Sequence, residues 1–376
     1  MSPVAVLPLY VSATRLLGVF STMMPRPRTR ENEFADIRPR SLIVFTKGEN
    51  PTFSYYLEER LRFYRAHMPV TVRCIQEDYL DDLKPDGAFV IICRYLRDRQ
   101  TNWIKRNGER FAGIGLLIDD DVPGLVLGAD AEVAHRARLA CLHLWPLWRL
   151  TNHLDLVWAS TPALARLLAS GGCAVRVMQP LPTEWHSTPA EPALHPPAEV
   201  VIGFHATGVH AAEHQFLEPI ISEILSRHDG VVFEVSAESR AVRIWKKGLP
   251  DAKIRVRPIL PWNEFARQSR QYPVDIALVP LLDKPINHVR SDTKRIDVSR
   301  MGAAAVFSDM ETYSRNRHPG ELLVDNSQAA WIAAIESLIA SPDARAAARR
   351  ATEGAVAEMR SADPAIPGVL VPERAS

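Results

Sequence analysis

The chain has 376 residues, of which 47% are hydrophobic and 24% are charged, a composition typical of soluble globular proteins. Its 45 Lys and Arg residues against 44 Asp and Glu residues give a net charge of +1. This balance excludes a general basic surface for nucleic acid or for an anionic membrane. The composition also excludes a wholly disordered chain, and the length is typical of two or three domains.

The cysteines and the N-terminus bear on the cellular compartment. The four cysteines are widely spaced and include no C-x-x-C pair, so we expect neither a zinc site nor a disulfide framework, but a reducing, cytoplasmic setting. Residues 4–24 are mostly apolar, but Pro8 and Arg15 interrupt them and no basic region precedes them. We expect residues 1–40 to form a poorly ordered extension, with a membrane-associating segment as the alternative. A position at the inner face of the membrane, through peripheral contact, is compatible with the neutral net charge.

Apolar runs of strand length alternate with amphipathic stretches from residue 41 onward. Helical spacing of apolar residues predicts a helix over residues 53–65. Ser160 or Thr161 is predicted to cap a second helix that begins at Pro162. The predicted strands of this half are residues 41–45, 70–75, 89–93, 115–118, 156–158 and 175–178.

A proline-rich stretch at residues 185–200 has no hydrophobic period and is the predicted linker. After it the alternation restarts. The predicted strands are residues 200–204, 231–235, 254–256, 276–279, 304–307 and 322–324, and the predicted helices are residues 210–227, 264–271, 329–340 and 343–360.

This alternation predicts an α/β protein with two tandem Rossmann-like, doubly wound domains. We place the first domain at residues 41–184, the second at residues 201–345, and a C-terminal helix and tail at residues 346–376. Open α/β sheets bind ligands at the carboxyl ends of their strands. We therefore expect the two domains to face a common cleft that holds a ligand.

The segment from residue 203 to residue 213 places a short loop between a strand and a helix. Gly208 lies in this loop, and the helix starts near Val209. Backbone N–H groups and the positive end of the helix favour a phosphate there. The G-x-G-x-x-G dinucleotide motif is absent. The alternative is that Gly203 and Gly208 only form a tight turn.

A second polar segment follows the strand at residues 276–279 and contains Asn287, Arg290, Ser291, Lys294 and Asp297. Helical spacing puts Lys294 close to Asp297. Cations beside a helix start would neutralise a diphosphate, and the carboxylate would accept from ribose hydroxyls. The alternative is an ion cluster on a solvated surface.

These segments resemble the family four (group 1) nucleotide-sugar glycosyltransferases, which have the GT-B fold. Residues 275–309, DIALVPLLDKPINHVRSDTKRIDVSRMGAAAVFSD, resemble the donor-binding signature of that family. The matching positions there are Asn287, Arg290, Ser291, Lys294, Gly302 and Ser308. Residues 203–213 resemble the family's GxxGxxxHxxD segment, with Gly208, His210 and Glu213 matching. Residues 118–121 and 159–164 resemble its (I/E)DDDL and STPaLa motifs. Three departures are Asp297 for the usual Glu, His205 at a position that is often small, and Gln179–Pro180 for Pro-Asn.

Asp119, Asp120 and Asp121 follow a buried strand. The resemblance places them on the acceptor side, where one would accept the proton of an acceptor hydroxyl or hydrogen-bond the acceptor sugar. The alternatives are a metal–nucleotide site and a solvated acidic loop. Arg94 and Tyr95 also follow a buried strand and are candidates to reach the cleft, a surface ion pair being the alternative. No histidines have metal-ligand spacing, so we expect no catalytic metal.

The resemblance implies a glycosyltransferase that moves a sugar from a nucleotide diphosphate sugar to a glycan or lipid-linked acceptor, in bacterial surface polysaccharide synthesis and with retention at the anomeric carbon. No cofactor and no nucleic acid are expected, and the nucleotide sugar is a substrate. The alternatives are a catalytically weak GT-B binding or scaffold protein and a sugar-nucleotide epimerase. The predicted catalytic residues are Asp119, Asp120, Arg290 and Lys294, and the predicted donor-binding residues are Gly208, His210, Glu213, Asn287, Ser291 and Asp297.

Overall fold

The computed structural model describes residues 29, 36–77, 79–128, 133–169, 173–188, 199–206, 210–246, 249–271 and 274–371. The chain divides into two compact units. Unit 1 comprises Met1–Leu181, Val289–Ser291 and Ala362–Ser376, and unit 2 comprises Pro182–His288 and Asp292–Ser361. Most of the predicted N-terminal extension and of the proline-rich linker lies outside the described residues. No helix within the described ranges is long and apolar enough to cross a membrane.

Unit 1 contains a six-stranded parallel sheet in the order β2-β1-β3-β4-β5-β6. Its strands are β1 Ser41–Thr46, β2 Val70–Cys74, β3 Ala88–Cys93, β4 Gly113–Ile118, β5 Leu156–Ala159 and β6 Val175–Val177. Its helices are α1 Pro51–Tyr56, α2 Glu58–Arg65, α3 Asp98–Arg106, α4 Val122–Leu127, α5 Val133–Leu139, α6 Trp145–Leu150 and α7 Pro162–Ala169, with a π-helical turn at Ala140–Leu144 and a 3-10 turn at Gly108–Arg110. Strands β3 and β4 are buried along their whole length, as continuous apolar runs require.

Unit 2 contains a second six-stranded parallel sheet, in the order β12-β11-β10-β7-β8-β9. Its strands are β7 Val200–His205, β8 Val231–Ser236, β9 Ile254–Arg257, β10 Ile276–Val279, β11 Ala304–Ser308 and β12 Leu322–Val324. The helices are α8 Glu184–Ser187, α9 Ala211–Arg227, α10 Ser239–Lys246, α11 Trp262–Gln271, α12 Pro285–Val289, α13 Lys294–Met301, α14 Glu311–Ser314, α15 Gln328–Ala340 and α16 Pro342–Arg360, with a 3-10 turn at Asp251–Lys253.

Both faces of the unit 2 sheet are covered by apolar packing. Ile202 belongs to a core cluster with Ile220 and Trp331, whereas its neighbour Val201 belongs to a separate cluster with Val298. Because successive strand residues point to opposite faces, this alternation shows that helices pack on both sides. Together with the twelve strands, each found where the sequence predicts it, it confirms the prediction of two Rossmann-like α/β domains.

Several elements differ from the sequence-based prediction. The helix predicted over residues 53–65 is two helices that meet at Leu57. Helices α3 to α6, α8, α10, α12 and α14 were not predicted, and α8 lies mostly within the stretch predicted as a linker. The C-terminal tail packs in unit 1, where the Trp158 indole N–H donates to the carbonyl of Pro367 at 2.8 Å. Thr161, one of the two predicted caps, accepts from the backbone N–H of Leu164 at the start of α7.

Both sheets change winding direction between two adjacent strands. In unit 1 this point lies between β1 and β3, and in unit 2 it lies between β7 and β10. In open α/β sheets, ligands bind at the carboxyl ends of the strands at this point. The polar residues after these strands are therefore the first candidates for function.

Candidate functional site

The cation–carboxylate pair predicted in unit 2 is present at the start of α13. Lys294 Nζ lies 3.0 Å from Asp297 Oδ2, as the spacing of three residues on a helix predicts. The same carboxylate accepts from the Arg300 guanidinium through Oδ1 at 2.6 Å. Asp297 is buried, whereas the Lys294 side chain keeps 32% of its surface exposed. Lys294 is therefore the cation of this group that a ligand in solution can reach.

Helix α11 supports this group from the side. Arg300 is fully buried, donates through Nε to Ser269 Oγ at 2.9 Å and lies 5.3 Å from the ring centre of Trp262. Lys294 Nζ lies 5.7 Å from the ring centre of Phe265. The Phe265 ring therefore adjoins the exposed ammonium group, so a ligand bound to Lys294 also meets an aromatic surface.

A shallow depression, open to solvent, lies beside Phe265. It is lined by His205, Glu234, Ser236, Arg257, Pro258, Leu260, Phe265, Gln268 and Ser269. The first four of these residues lie at the carboxyl ends of β7, β8 and β9. The depression therefore lies at the carboxyl edge of the sheet, on the β8–β9 side of the point where the winding direction changes, and its lining combines an aromatic wall with a few polar groups.

His205 is held in the depression by a buried carboxylate. Its Nε2 lies 3.1 Å from Glu234 Oε1, and Arg257 Nε lies 2.6 Å from the second oxygen of Glu234. Burial would raise the pKa of Glu234, but the hydrogen bonds and charges of His205 and Arg257 lower it. Glu234 is thus a charged acceptor that orients the imidazole.

The other imidazole nitrogen of His205 has no hydrogen-bond partner, although the side chain is only 8% exposed. In the tautomer that donates through Nε2 to Glu234 and carries no proton on Nδ1, Nδ1 has a lone pair that can accept a hydrogen bond. A buried nitrogen without a partner is costly, and a ligand N–H or O–H group would satisfy it. In the sequence, His205 stands out only as a departure from the glycosyltransferase pattern, and this role was not predicted.

His210 and Glu213, both predicted to bind the donor, lie next to each other at the start of α9. His210 Nδ1 lies 3.6 Å from Glu213 Oε2, and the carboxylate is buried. Burial alone would raise the pKa of Glu213, but the hydrogen bond and charge of His210 lower it to about 2. Gly208 lies outside the described residues. Gly203 lies within β7, where a Cβ atom would come within 2.8 Å of Val274, so it is a packing glycine and not part of the turn.

Two further residues of the resemblance stabilise the loop after β10. The Asn287 side-chain amide is buried and donates to the carbonyl of Leu282 at 2.8 Å. Ser308 Oγ accepts from the backbone N–H of Leu281 at 2.8 Å and donates to Asn326 at 2.6 Å. The amide group of Asn287 is thus engaged within the protein, and its predicted contact with a donor stays a prediction.

Unit 1 has its own polar cluster at the carboxyl ends of β1, β3 and β4. Arg94 Nε lies 3.0 Å from Asp119 Oδ1, and the Thr52 hydroxyl donates to Asp119 Oδ2 at 2.6 Å. Burial raises the pKa of Asp119, while Arg94 and Thr52 oppose the rise. Arg94 has a φ of +64°, which is strained for a residue with a side chain. The buried His143 ring donates to its carbonyl at 2.6 Å and helps to hold that conformation.

The structure places the predicted catalytic residues Arg290 and Asp120 side by side in unit 1. Arg290 Nε lies 3.3 Å from Asp120 Oδ1. The neighbouring Ser291 accepts from the Tyr56 hydroxyl at 2.7 Å, and the Thr161 hydroxyl donates to the carbonyl of Val289. The four predicted catalytic residues therefore fall into two groups, with Lys294 in unit 2 and the other three in unit 1.

Asp121, the third residue of the acidic triplet, caps helix α4 by accepting from the backbone N–H of Gly124 at 3.0 Å. In the part of the chain that the structure describes, no three His, Cys, Asp or Glu side chains are grouped so as to hold a metal ion. The triplet thus divides into a partner of Arg94, a partner of Arg290 and a helix cap.

Comparison with known proteins identifies the fold of the chain. No family model and no curated protein sequence matches the chain. Among solved structures, sucrose-phosphate synthase from Thermosynechococcus elongatus superposes with a TM-score of 0.55 at 12% identity, over 85% of this chain and 94% of that one. HepE from Anabaena, in complex with UDP and glucose, gives 0.54 at 11% identity, over 86% and 97%. The chain has the GT-B fold. A GT-B glycosyltransferase from Rickettsia africae gives 0.50 at 9% identity, over 86% and 94%. At these identities the likeness extends to the GT-B architecture and leaves the activity to the residues of the site.

Proposed function

We propose that this protein is a nucleotide-sugar glycosyltransferase that binds its donor in unit 2 and its acceptor in unit 1. The observation that carries the proposal is the exposed Lys294 ammonium beside the depression lined by Phe265 and His205. A cation next to a partly aromatic polar pocket suits a molecule that joins a diphosphate to a planar base. We infer that the diphosphate contacts Lys294 and the nucleoside enters the depression.

The donor site has a defined distribution of charge. Lys294 and the positive end of the α13 helix dipole would stabilise the diphosphate, most strongly when it departs with added negative charge. Asp297, held by Lys294 and Arg300, keeps acceptor capacity because each carboxylate oxygen can accept more than one hydrogen bond. We assign it to a ribose hydroxyl, as the sequence predicts. His205 Nδ1 would accept from an N–H or O–H group of the nucleoside.

The acceptor chemistry is assigned to unit 1. Burial raises the pKa of Asp119, and a base of raised pKa takes a proton more readily near neutral pH. As the bond between the anomeric carbon and the phosphate oxygen breaks, the acceptor oxygen bonds to that carbon on the face that the phosphate leaves, as retention requires, and its proton passes to Asp119 or Asp120. Arg94 and Arg290 would hold these carboxylates in place. We propose a reaction that needs no metal, with retention at the anomeric carbon and a glycan or lipid-linked acceptor of a bacterial surface polysaccharide, as the resemblance implies.

The experiment is a donor panel with the purified full-length chain. UDP-glucose is the first donor to test, because HepE, which shares the fold, has been solved with it. Slow release of the nucleoside diphosphate, abolished in Lys294→Met and retained in Arg267→Gln, is expected. Arg267 is an exposed cation on α11, two residues from Phe265, and is the matched control. Interconversion of the sugar without release would instead indicate an epimerase, and no binding of any donor would contradict the proposal.

A second candidate is a GT-B protein that binds the nucleotide sugar without transferring it. One observation favours it: Asp119, Asp120 and Asp297, the carboxylates assigned to the reaction, are each paired with an arginine within the chain. A carboxylate oxygen that already accepts from an arginine has less capacity left to accept from a substrate hydroxyl. Nucleotide binding that is sensitive to Lys294→Met, with neither release nor interconversion over long incubation, would select this candidate.

A further inference from the structure

We propose that unit 1 contains a phosphate-binding site formed by Lys47, Arg97 and Arg138 at the carboxyl ends of β1 and β3. The site binds a phosphate or diphosphate group of the acceptor, which is therefore a sugar or lipid that bears such a group. That the phosphate belongs to the acceptor rests on the proposed function.

The site lies where the sheet of unit 1 changes winding direction. Lys47 directly follows β1, and Arg94 directly follows the adjacent strand β3. Lys47 Nζ lies 5.8 Å and the Arg94 guanidinium carbon 4.9 Å from the ring centre of Tyr95. Arg97 is the N-cap residue of α3, a nine-residue helix whose first N–H groups lie at the same edge.

Arg138 is brought to this edge by the helical segment that follows α4. The backbone N–H of Leu96 donates to the carbonyl of Leu142 at 2.9 Å, and the His143 ring donates to the carbonyl of Arg94. These two bonds fix the chain after β3 against the π-helical turn, one turn beyond Arg138. Burial lowers the pKa of Lys47, and the charges of Arg138, Arg94 and Arg97 lower it further, so each of these three arginines is close enough to Lys47 to repel its ammonium group.

The three cations lack carboxylate partners among the described residues. No acidic oxygen there lies within 4.0 Å of a nitrogen of Lys47, Arg97 or Arg138. Arg94, by contrast, is compensated by Asp119. With a net charge of +1 over the whole chain, three cations at one sheet edge that have no carboxylate partner in the described ranges are a local concentration and not a general property of the surface.

The chemistry of the site selects its ligand. A bound dianion would relieve the mutual repulsion of the cations, whereas a neutral sugar would leave it in place. Two guanidinium groups can each donate two parallel hydrogen bonds to phosphate oxygens, and a lysine adds a point charge. A phosphate or diphosphate group therefore fits better than a neutral glycan. Such a group can come from a soluble sugar phosphate or from a lipid-linked diphosphate.

The first experiment is calorimetry of the full-length protein with inorganic pyrophosphate as the probe. The double variant Arg97→Gln/Arg138→Gln should weaken binding at this site about tenfold for each residue, the scale of a charged hydrogen bond. The matched control is Lys105→Gln/Arg106→Gln, which removes the same charge from exposed positions at the other end of α3 and should bind pyrophosphate like wild type. Lys294→Met should keep the site in unit 1. Thermal unfolding checks that each variant is folded.

Two further titrations identify the source of the phosphate. One uses glucose 6-phosphate, and the other uses phosphatidylcholine vesicles that carry a polyprenyl diphosphate, compared with plain vesicles. Binding of either, lost in Arg97→Gln/Arg138→Gln and kept in the control variant, supports the site and names its source. Pyrophosphate binding that is unchanged in the double variant, or weakened equally in the control, overturns it. If no nucleotide binds but pyrophosphate still binds at this site, the proposed function is wrong and the phosphate site in unit 1 is supported.

Discussion

Replacing Lys294 by methionine separates the role of this residue in the fold from its role in binding. In the fold, Lys294 contributes one ion pair to Asp297, and its side chain is one-third exposed. Ion pairs that are exposed to this degree contribute about 0–1 kcal/mol to the free energy of unfolding. Asp297 keeps its 2.6 Å hydrogen bond from Arg300 in the variant, so no buried charge is left unpaired. Urea unfolding should therefore show a loss of at most about 1 kcal/mol.

Binding should respond much more strongly. Losing a charged hydrogen bond to the diphosphate costs about 1.5–3 kcal/mol, which corresponds to a roughly 10- to 150-fold weaker affinity. Calorimetry with UDP and GDP measures this change, and Arg267→Gln, which removes an exposed charge from the adjacent helix α11, should leave the affinity within about twofold. The ratio of the affinity for UDP to the affinity for uridine should also be smaller in Lys294→Met than in the wild type. An affinity for UDP or GDP that does not change in Lys294→Met would refute the assignment of the diphosphate to this residue.

Three other perturbations follow from buried groups. Burial lowers the pKa of His143 and of His214 from 6.5 to about 4, so both are neutral in the fold, and the unfolded chain takes up their protons first as the pH falls. The contribution of these histidines to the free energy of unfolding should be fully present above pH 6.5 and should decline toward pH 4, by up to about 3 kcal/mol per histidine. Urea midpoints that do not move over this range would contradict this prediction. Gly115→Ala should destabilise unit 1 by about 1–3 kcal/mol or more in thermal unfolding, since the added methyl would lie 2.2 Å from the Trp158 ring; an unchanged melting temperature would show that the ring can move. His205→Phe should weaken UDP or GDP binding about fivefold, the scale of one neutral hydrogen bond, and equal affinity would exclude Nδ1 as a ligand contact.

The strands could be predicted because parallel strands buried on both faces have continuous apolar sequences. Residues 89–93 and 276–279 are examples, and both are strands with no exposed position. The helices that were missed have weaker signals. Helix α3 reads DRQTNWIKR and buries Gln100 and Thr101, polar residues that hide its buried face. The segment from α4 to α6 is apolar on several sides and contains a π-helical turn, which shifts its period.

The site was predictable only where its contacts are local. Lys294 and Asp297 are three residues apart, and their contact follows from helical geometry. The contact of His205 with Glu234 depends on the register of β7 against β8, in which Gly203 faces Glu234 and His205 faces Ser236. The sequence motifs do not specify which residues of these two strands lie side by side. The only indication in the sequence was that His205 is a polar residue at the end of a predicted strand, and no role was assigned to it.

The pairing of the predicted catalytic residues also depends on long-range structure. Arg290 is separated from Asp120 by 170 residues, and Asp119 is separated from Arg94 by 25. Motif resemblance singled out Asp119, Asp120 and Arg290 individually, but it gave no reason to join them. The strain at Arg94, with its positive φ, could not be predicted because arginine rarely adopts that conformation.

A crystal structure of the full-length protein with UDP or GDP tests the central claim most directly. We expect a base or ribose in the depression beside Phe265, a ligand hydrogen bond to His205 Nδ1, and diphosphate oxygens within hydrogen-bond distance of Lys294 Nζ. A nucleotide bound elsewhere, with this depression filled only by water, would contradict it.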